Sequence, residues 1–138
     1  MEITRIIVEQ ANQNSLYRTM GIRLEEAADG KAYTILNPRS EVCWPFSDQP
    51  HGGVLFTTMD TTMAWAVLSV VEPGYGCSTI DFNIQYLAPA NKGPYHCQGW
   101  ITHRTGRMAF LRVEIKDSHH SLLANGQAVF RIIKRPII

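Results

Sequence analysis

The sequence predicts an α+β fold in which an antiparallel sheet lies against one long buried helix, curved strongly enough to wrap it. Two observations carry this. Residues Gly52–Val71 run for five turns without proline and with a single charge, Asp60, which is too apolar for a surface helix. From Thr79 onward the pattern switches to period two over four segments joined by short turns, as hairpin-linked strands require.

The elements follow in order. Residues from Glu2 to about Tyr17 place Ile3, Ile6 and Ile7 at helical offsets with a thin apolar side, which predicts one short amphipathic helix covering an edge. Gly21 and Gly30 bracket a strand at Ile22–Ala27, and a second strand, Lys31–Leu36, ends before Pro38. Ser40–Pro50 reads as loop, with Pro45, Ser47, Asp48 and Pro50 close together. The central helix contains Leu55, Met59, Met63, Ala66 and Leu68. Its four threonines lower helix propensity, so burial must hold it. Thr79, Asp81, Asn83 and Gln85 then alternate with Ile80, Phe82, Ile84 and Tyr86 in a half-buried strand. Three more strands follow: Tyr95–His103, Met108–Lys116 with Ala109, Leu111, Val113 and Ile115 on one face, and Leu122–Ile133. Arg104–Arg107 and Asp117–Ser121 supply the hairpin turns.

Composition bounds the function. The 138 residues (15.6 kDa) are 45% apolar and 18% charged, enough for one core and one domain over 1–138. Thirteen basic against twelve acidic side chains leave a net charge of +1, which offers no bulk attraction to nucleic acid or an anionic membrane. Cys43, Cys77 and Cys97 are odd in number and widely spaced, so they read as free thiols of a reducing cytoplasm rather than a disulfide or zinc framework. The N-terminal residues carry acids and amides inside their apolar run, unlike a signal or transit peptide. The central stretch, with its threonines and Asp60, is marginal in length for a membrane span.

Asp60 demands an explanation. A lone carboxylate in so apolar a helix loses hydration unless it is paired or faces a wet cleft. It either caps a neighbouring loop or meets a basic residue, or it serves as a general base or nucleophile in a cleft. His51-Gly52-Gly53 opens the same helix. Two glycines let a ligand approach the backbone, and the first N–H groups of a helix are free to polarise a carbonyl. His51 reads either as a base or as a structural group holding the loop. Gly53 and Asp60 lie seven residues apart on one face, roughly 10 Å along the axis, too far for one reacting carbon to touch both. A two-fold axis between two chains would bring Gly53 of one near Asp60 of the other, so the spacing suggests a composite site.

The segment His51-Gly52-Gly53-Val54-Leu55-Phe56-Thr57-Thr58-Met59-Asp60 resembles the hotdog-fold acyl-CoA thioesterases of the phenylacetate-degradation (PaaI-like) type, which carry HGG with an acid seven positions after the second glycine. Thr79–Ala90, with its Tyr86-Leu87-Ala88-Pro89 ending, resembles the family's Tyr-Leu/Met-x-Pro strand. Gly106–Phe110 and Ala124–Phe130 resemble its last hairpins. The resemblance implies a hotdog fold, dimers joined through edge strands, and a homotetramer as the commonest assembly. It implies hydrolysis of an acyl- or aryl-CoA thioester without metal or redox cofactor. On that pattern Asp60 activates water or attacks the carbonyl, the Gly53 N–H polarises it, and Thr79 aligns with a hydroxyl that helps place the water.

One position departs from the family. Many relatives carry Asn or Gln about six residues before the histidine, where this chain has Pro45; Gln49 or Asp48 is the candidate substitute. Trp44 and Phe46 read either as an acyl pocket, together with Gly52, or as loop packing. Arg104 and Arg107, with Lys134 and Arg135 behind them, are candidates for the CoA phosphates or are simply solvated charges. Two alternatives stand beside hydrolysis: a hotdog hydroxyacyl dehydratase, which uses a catalytic histidine in a differently spaced motif, and a non-catalytic acyl-CoA-binding module.

Overall fold

The computed structural model describes residues 1–135. Two short helices, α1 (Arg5–Ala11) and α2 (Ser15–Met20), precede strands β1 (Ile22–Ala28) and β2 (Lys31–Leu36). A 3-10 turn at Ser40–Val42 leads to α3 (Gly52–Leu68), and β3 (Gly76–Tyr86), β4 (Tyr95–Arg104), β5 (Met108–Lys116) and β6 (Leu122–Ile133) complete the chain. The six strands form one antiparallel sheet in the order β1-β2-β4-β5-β6-β3. All six touch α3, so the sheet wraps the helix as in the hotdog fold.

The core lies between helix and sheet. Met59, Met63 and Val67 of α3 are fully buried against Leu24, Leu36, Leu111, Val113, Ile115 and Phe130. Gly99 of β4 permits this closeness: a Cβ there would stand 3.4 Å from the Met63 backbone. The buried threonines are satisfied locally. Thr58 donates to Val54 O at 2.8 Å and Thr62 to Thr58 O at 2.6 Å, while the Thr34 and Thr62 hydroxyls meet at 2.6 Å.

Three features differ from the sequence reading. The N-terminal helix is two helices, because two asparagines interrupt it. Asn12 is the C-cap of α1 and its side chain bridges the Leu24 backbone in both directions (2.8 and 2.9 Å), and Asn14 caps α2 by accepting from the Leu16 and Tyr17 N–H groups. Gly21, at φ 87°, closes α2 in the left-handed conformation. Second, α3 is not covered all round: Gly53, Phe56, Thr57, Asp60, Thr61 and Ala64 form an open stripe. Third, β3 is an edge strand with an irregular middle. Its pairing to β6 skips from Thr79–Phe130 to Asp81–Val129, leaving Ile80 as an extra residue, 54% exposed.

Candidate active site

The open stripe of α3 lies along edge strand β3. Gly52, Phe56, Asp60 and Ala64 form one i, i+4 ridge. The Tyr86 hydroxyl donates to Gly52 O at 2.6 Å, and the Phe56 and Phe82 rings meet at 4.5 Å. Thr79 Oγ1 donates to Asp60 Oδ1 at 2.8 Å, and the Cys77 thiol points to Ala64 O at 3.8 Å. Cys77, Thr79, Phe82 and Tyr86 therefore all face the helix. Strict alternation places Thr79 with Asp81, Asn83 and Gln85 on the opposite face; the extra residue at Ile80 puts it with Phe82 instead. That bulge brings the hydroxyl to the carboxylate.

Asp60 is half-buried, and no basic side chain lies within ion-pair distance of it among the described residues. Its partner is a hydroxyl on a neighbouring strand, neither a cation nor a loop. Burial pushes its carboxyl above the usual aspartate value, and the Thr79 hydrogen bond partly opposes that rise. Burial and the Asp60 charge together push the Cys77 thiol up to about 12, so it stays protonated beside the carboxylate. The Tyr17 phenol, raised by burial and by Asp60, accepts a 2.8 Å hydrogen bond from the Trp65 indole.

At the helix start, His51 is the N-cap. Its Nδ1 accepts from the Gly53 N–H at 2.8 Å, and its ring lies 4.9 Å from that of Trp44. The histidine thus occupies the donor expected to polarise a carbonyl. The space left by the two glycines is used from within the chain: a Cβ on Gly52 would lie 3.4 Å from the Tyr86 ring, and one on Gly53 would lie 3.0 Å from His51 Nδ1. Gly53 and Asp60 share the open stripe, roughly 10 Å apart along the unbroken helix.

The remaining candidates are not gathered at this point. Phe46 is wholly exposed, with a backbone φ of 61°, and Trp44 is half exposed. Gln49 is half-buried, and its backbone carbonyl accepts from Trp44 N at 2.9 Å; Asp48 is exposed. Arg104 donates to Val70 O at 2.8 Å, beyond the C-terminal end of α3 and roughly 25 Å along the axis from Gly52. Arg107 lies exposed in the β4–β5 turn, also away from Gly52. Tyr86 is the contact that the sequence reading did not single out. It lay inside the Tyr-Leu-x-Pro segment, where alternation marks it only as a strand residue.

Comparison with known proteins bears on the family and the fold. The family model described as the thioesterase superfamily matches residues 51–124, from the His51 cap through α3 and β3–β5 into β6. A thioesterase of Haemophilus influenzae superposes with a TM-score of 0.88 at 18% identity, covering 97% of this chain and 93% of its own. The E. coli PaaI protein from the phenylacetic acid degradation operon gives 0.82 at 19% identity over 94% and 92%. A conserved protein of Pseudomonas aeruginosa gives 0.80 at 24% identity over 87% and 94%. At these identities the likeness to the three structures is one of fold.

Proposed function

Because this chain belongs to the thioesterase superfamily, we propose that it hydrolyses the thioester of an acyl- or aryl-CoA to the free acid and CoA, with Asp60 as the base. One observation carries the reading: a half-buried carboxylate without a cation, held by the Thr79 hydroxyl at 2.8 Å and facing an open stripe. A carboxylate raised by burial is a better proton acceptor than one in water, and its fixed geometry avoids reorganisation.

Asp60 takes a proton from water as the water oxygen bonds to the thioester carbon. The carbonyl oxygen gains negative charge and is met by a Gly53 N–H at the positive end of α3. The C–S bond then breaks, and the proton held by Asp60 passes to the CoA thiolate. His51 must swing off the Gly53 N–H for the substrate oxygen to enter, which makes it a reversible cap on the donor. The distance of roughly 10 Å between Gly53 and Asp60 calls for a shared site: Gly53 from one protomer, Asp60 from its partner. The unpaired edge of β3, bearing exposed Ile80 and Tyr86 and followed by exposed Leu87, supports a dimer joined there, which then pairs into a tetramer. In that dimer Trp44, Phe46 and Gln49 lie by the helix start and contribute to the acyl site. Arg107 remains a candidate for the CoA phosphates. No helix is long and apolar enough to cross a membrane among the described residues. Three free thiols suit a reducing cytoplasm.

The test is thiol release from short, medium, long and aryl acyl-CoAs, corrected for Cys43, Cys77 and Cys97. Asp60→Asn is expected to lower turnover roughly 10²–10⁴-fold. Unchanged turnover in folded Asp60→Asn removes Asp60 from the chemistry. Absence of release from every ester in the wild type turns the reading toward a binding module.

A further inference from the structure

The candidate electrophile is one end of a peptide unit whose other end is also held. The carbonyl of Gly52 and the N–H of Gly53 belong to the same peptide bond, and in a trans peptide they point in opposite directions within one plane. The Tyr86 hydroxyl donates to that carbonyl at 2.6 Å. The N–H donates to His51 Nδ1 at 2.8 Å. Phenol, peptide and imidazole thus form one chain: O–H to O=C, then N–H to N. We propose that Tyr86 is a positioning residue that orients the Gly52–Gly53 peptide and polarises it, strengthening the Gly53 N–H as a donor to a substrate oxygen.

Two physical arguments support this. A hydrogen bond accepted by an amide oxygen draws charge toward that oxygen and leaves the N–H more positive, so chained hydrogen bonds reinforce one another. The geometry also leaves little play. Leu87 N and Ala88 N both donate to Leu123 O, at 2.7 and 3.2 Å, which fixes the strand just beyond Tyr86. The ring packs against Gly52, where a Cβ would stand 3.4 Å away. Edge strand β3 therefore touches the base of one composite site through Thr79 and, through Tyr86, the peptide that carries the N–H donor of the other. Tyr86 acts through the peptide without touching the reacting atoms. The catalytic consequence rests on the thioesterase reading; the polarisation does not.

The test is Tyr86→Phe, which deletes only the hydroxyl, followed in two ways. By amide NMR, the Gly53 proton is expected to move upfield and to exchange faster than in the wild type. With the best acyl-CoA, kcat is expected to fall roughly 3- to 10-fold with KM nearly unchanged, the pattern of an interaction made in the transition state. Ring-fluorinated tyrosine at position 86 keeps the side chain's shape and sharpens the phenol as a donor, so it should move the Gly53 proton downfield. This arm stands even if Tyr86→Phe does not fold. A Gly53 resonance that ignores both replacements overturns the proposal. So does an unchanged kcat in Tyr86→Phe when Asp60→Asn abolishes turnover. Hydrolysis unaffected by Asp60→Asn sinks the site assignment instead, and the Gly53 shift then judges the polarisation alone.

Discussion

Thr79 reaches Asp60 because β3 carries one residue more than its partner β6 at that point. Pairing passes from Thr79–Phe130 directly to Asp81–Val129, and the hydroxyl lands 2.8 Å from Asp60 Oδ1. The hydrogen bond favours the ionised carboxylate, whereas burial disfavours it. Thr79→Val leaves burial unopposed, so the Asp60 pKa rises further. The acid limb of the rate profile is expected to move to higher pH, with turnover at neutral pH reduced roughly 3- to 10-fold. Rates across pH for the two proteins check this; an unmoved limb would separate Thr79 from the titrating group.

Asp60 should cost stability. Its folded pKa lies above the ordinary value of 3.8, so between these values the native state holds more protons than the unfolded chain. Stability therefore falls as pH rises through that window, and the full cost is present above it. Asp60→Asn carries no such charge and its amide oxygen can still accept from Thr79. We expect a higher Tm for Asp60→Asn at neutral pH, a gain that disappears once the pH drops well below 3.8. Thermal melts across pH decide the matter, and a lower Tm at neutral pH would show that the carboxylate stabilises the fold. Gain of stability with loss of turnover is the expected mark of a functional group.

The parts of this molecule that announce themselves in sequence are those governed by hydrophobic periodicity. The run from Gly52, with Asp60 as its single charge, had to be the buried helix, and the alternation in Met108–Lys116 placed Ala109, Leu111, Val113 and Ile115 on one face, where they are found buried. What escaped were single-residue events that periodicity averages away. Ile80 fits an alternating pattern, so nothing in its identity marks it as the extra residue that turns Thr79 round. Asn12 and Asn14 could have signalled a break between α1 and α2, since asparagine favours caps, but no proline or glycine from Glu2 to Tyr17 marks one. His51 stood at a helix start, and its capping bond to Gly53 depends on a side-chain rotation that no pattern encodes.

Arg104 illustrates the difference between a charge and its use. Its guanidinium donates to Val70 O at 2.8 Å, just past the C-terminal end of α3, where the helix dipole is negative. Arg104→Met is expected to cost about 0.3–1 kcal/mol of stability. KM for an acyl-CoA should not change, because the guanidinium is already engaged by the Val70 carbonyl. A several-fold rise in KM without loss of stability would return Arg104 to the phosphate-binding role.

Ile80 offers the sharpest test of a shared site. It is exposed on the outer edge of the sheet, 54% open, beside Thr79 and away from the core. An unpaired edge strand carrying such a residue needs a cover, and a lysine at an edge is a known way to prevent pairing. Ile80→Lys is therefore expected to leave one chain folded while lowering the mass seen by sedimentation. If Gly53 and Asp60 act from different protomers, turnover must disappear together with the dimer, because roughly 10 Å separates them within one chain. Raising the protein concentration should restore both in parallel. A monomeric Ile80→Lys protein with full turnover would place the whole site in one protomer and require a carbonyl-polarising group other than Gly53.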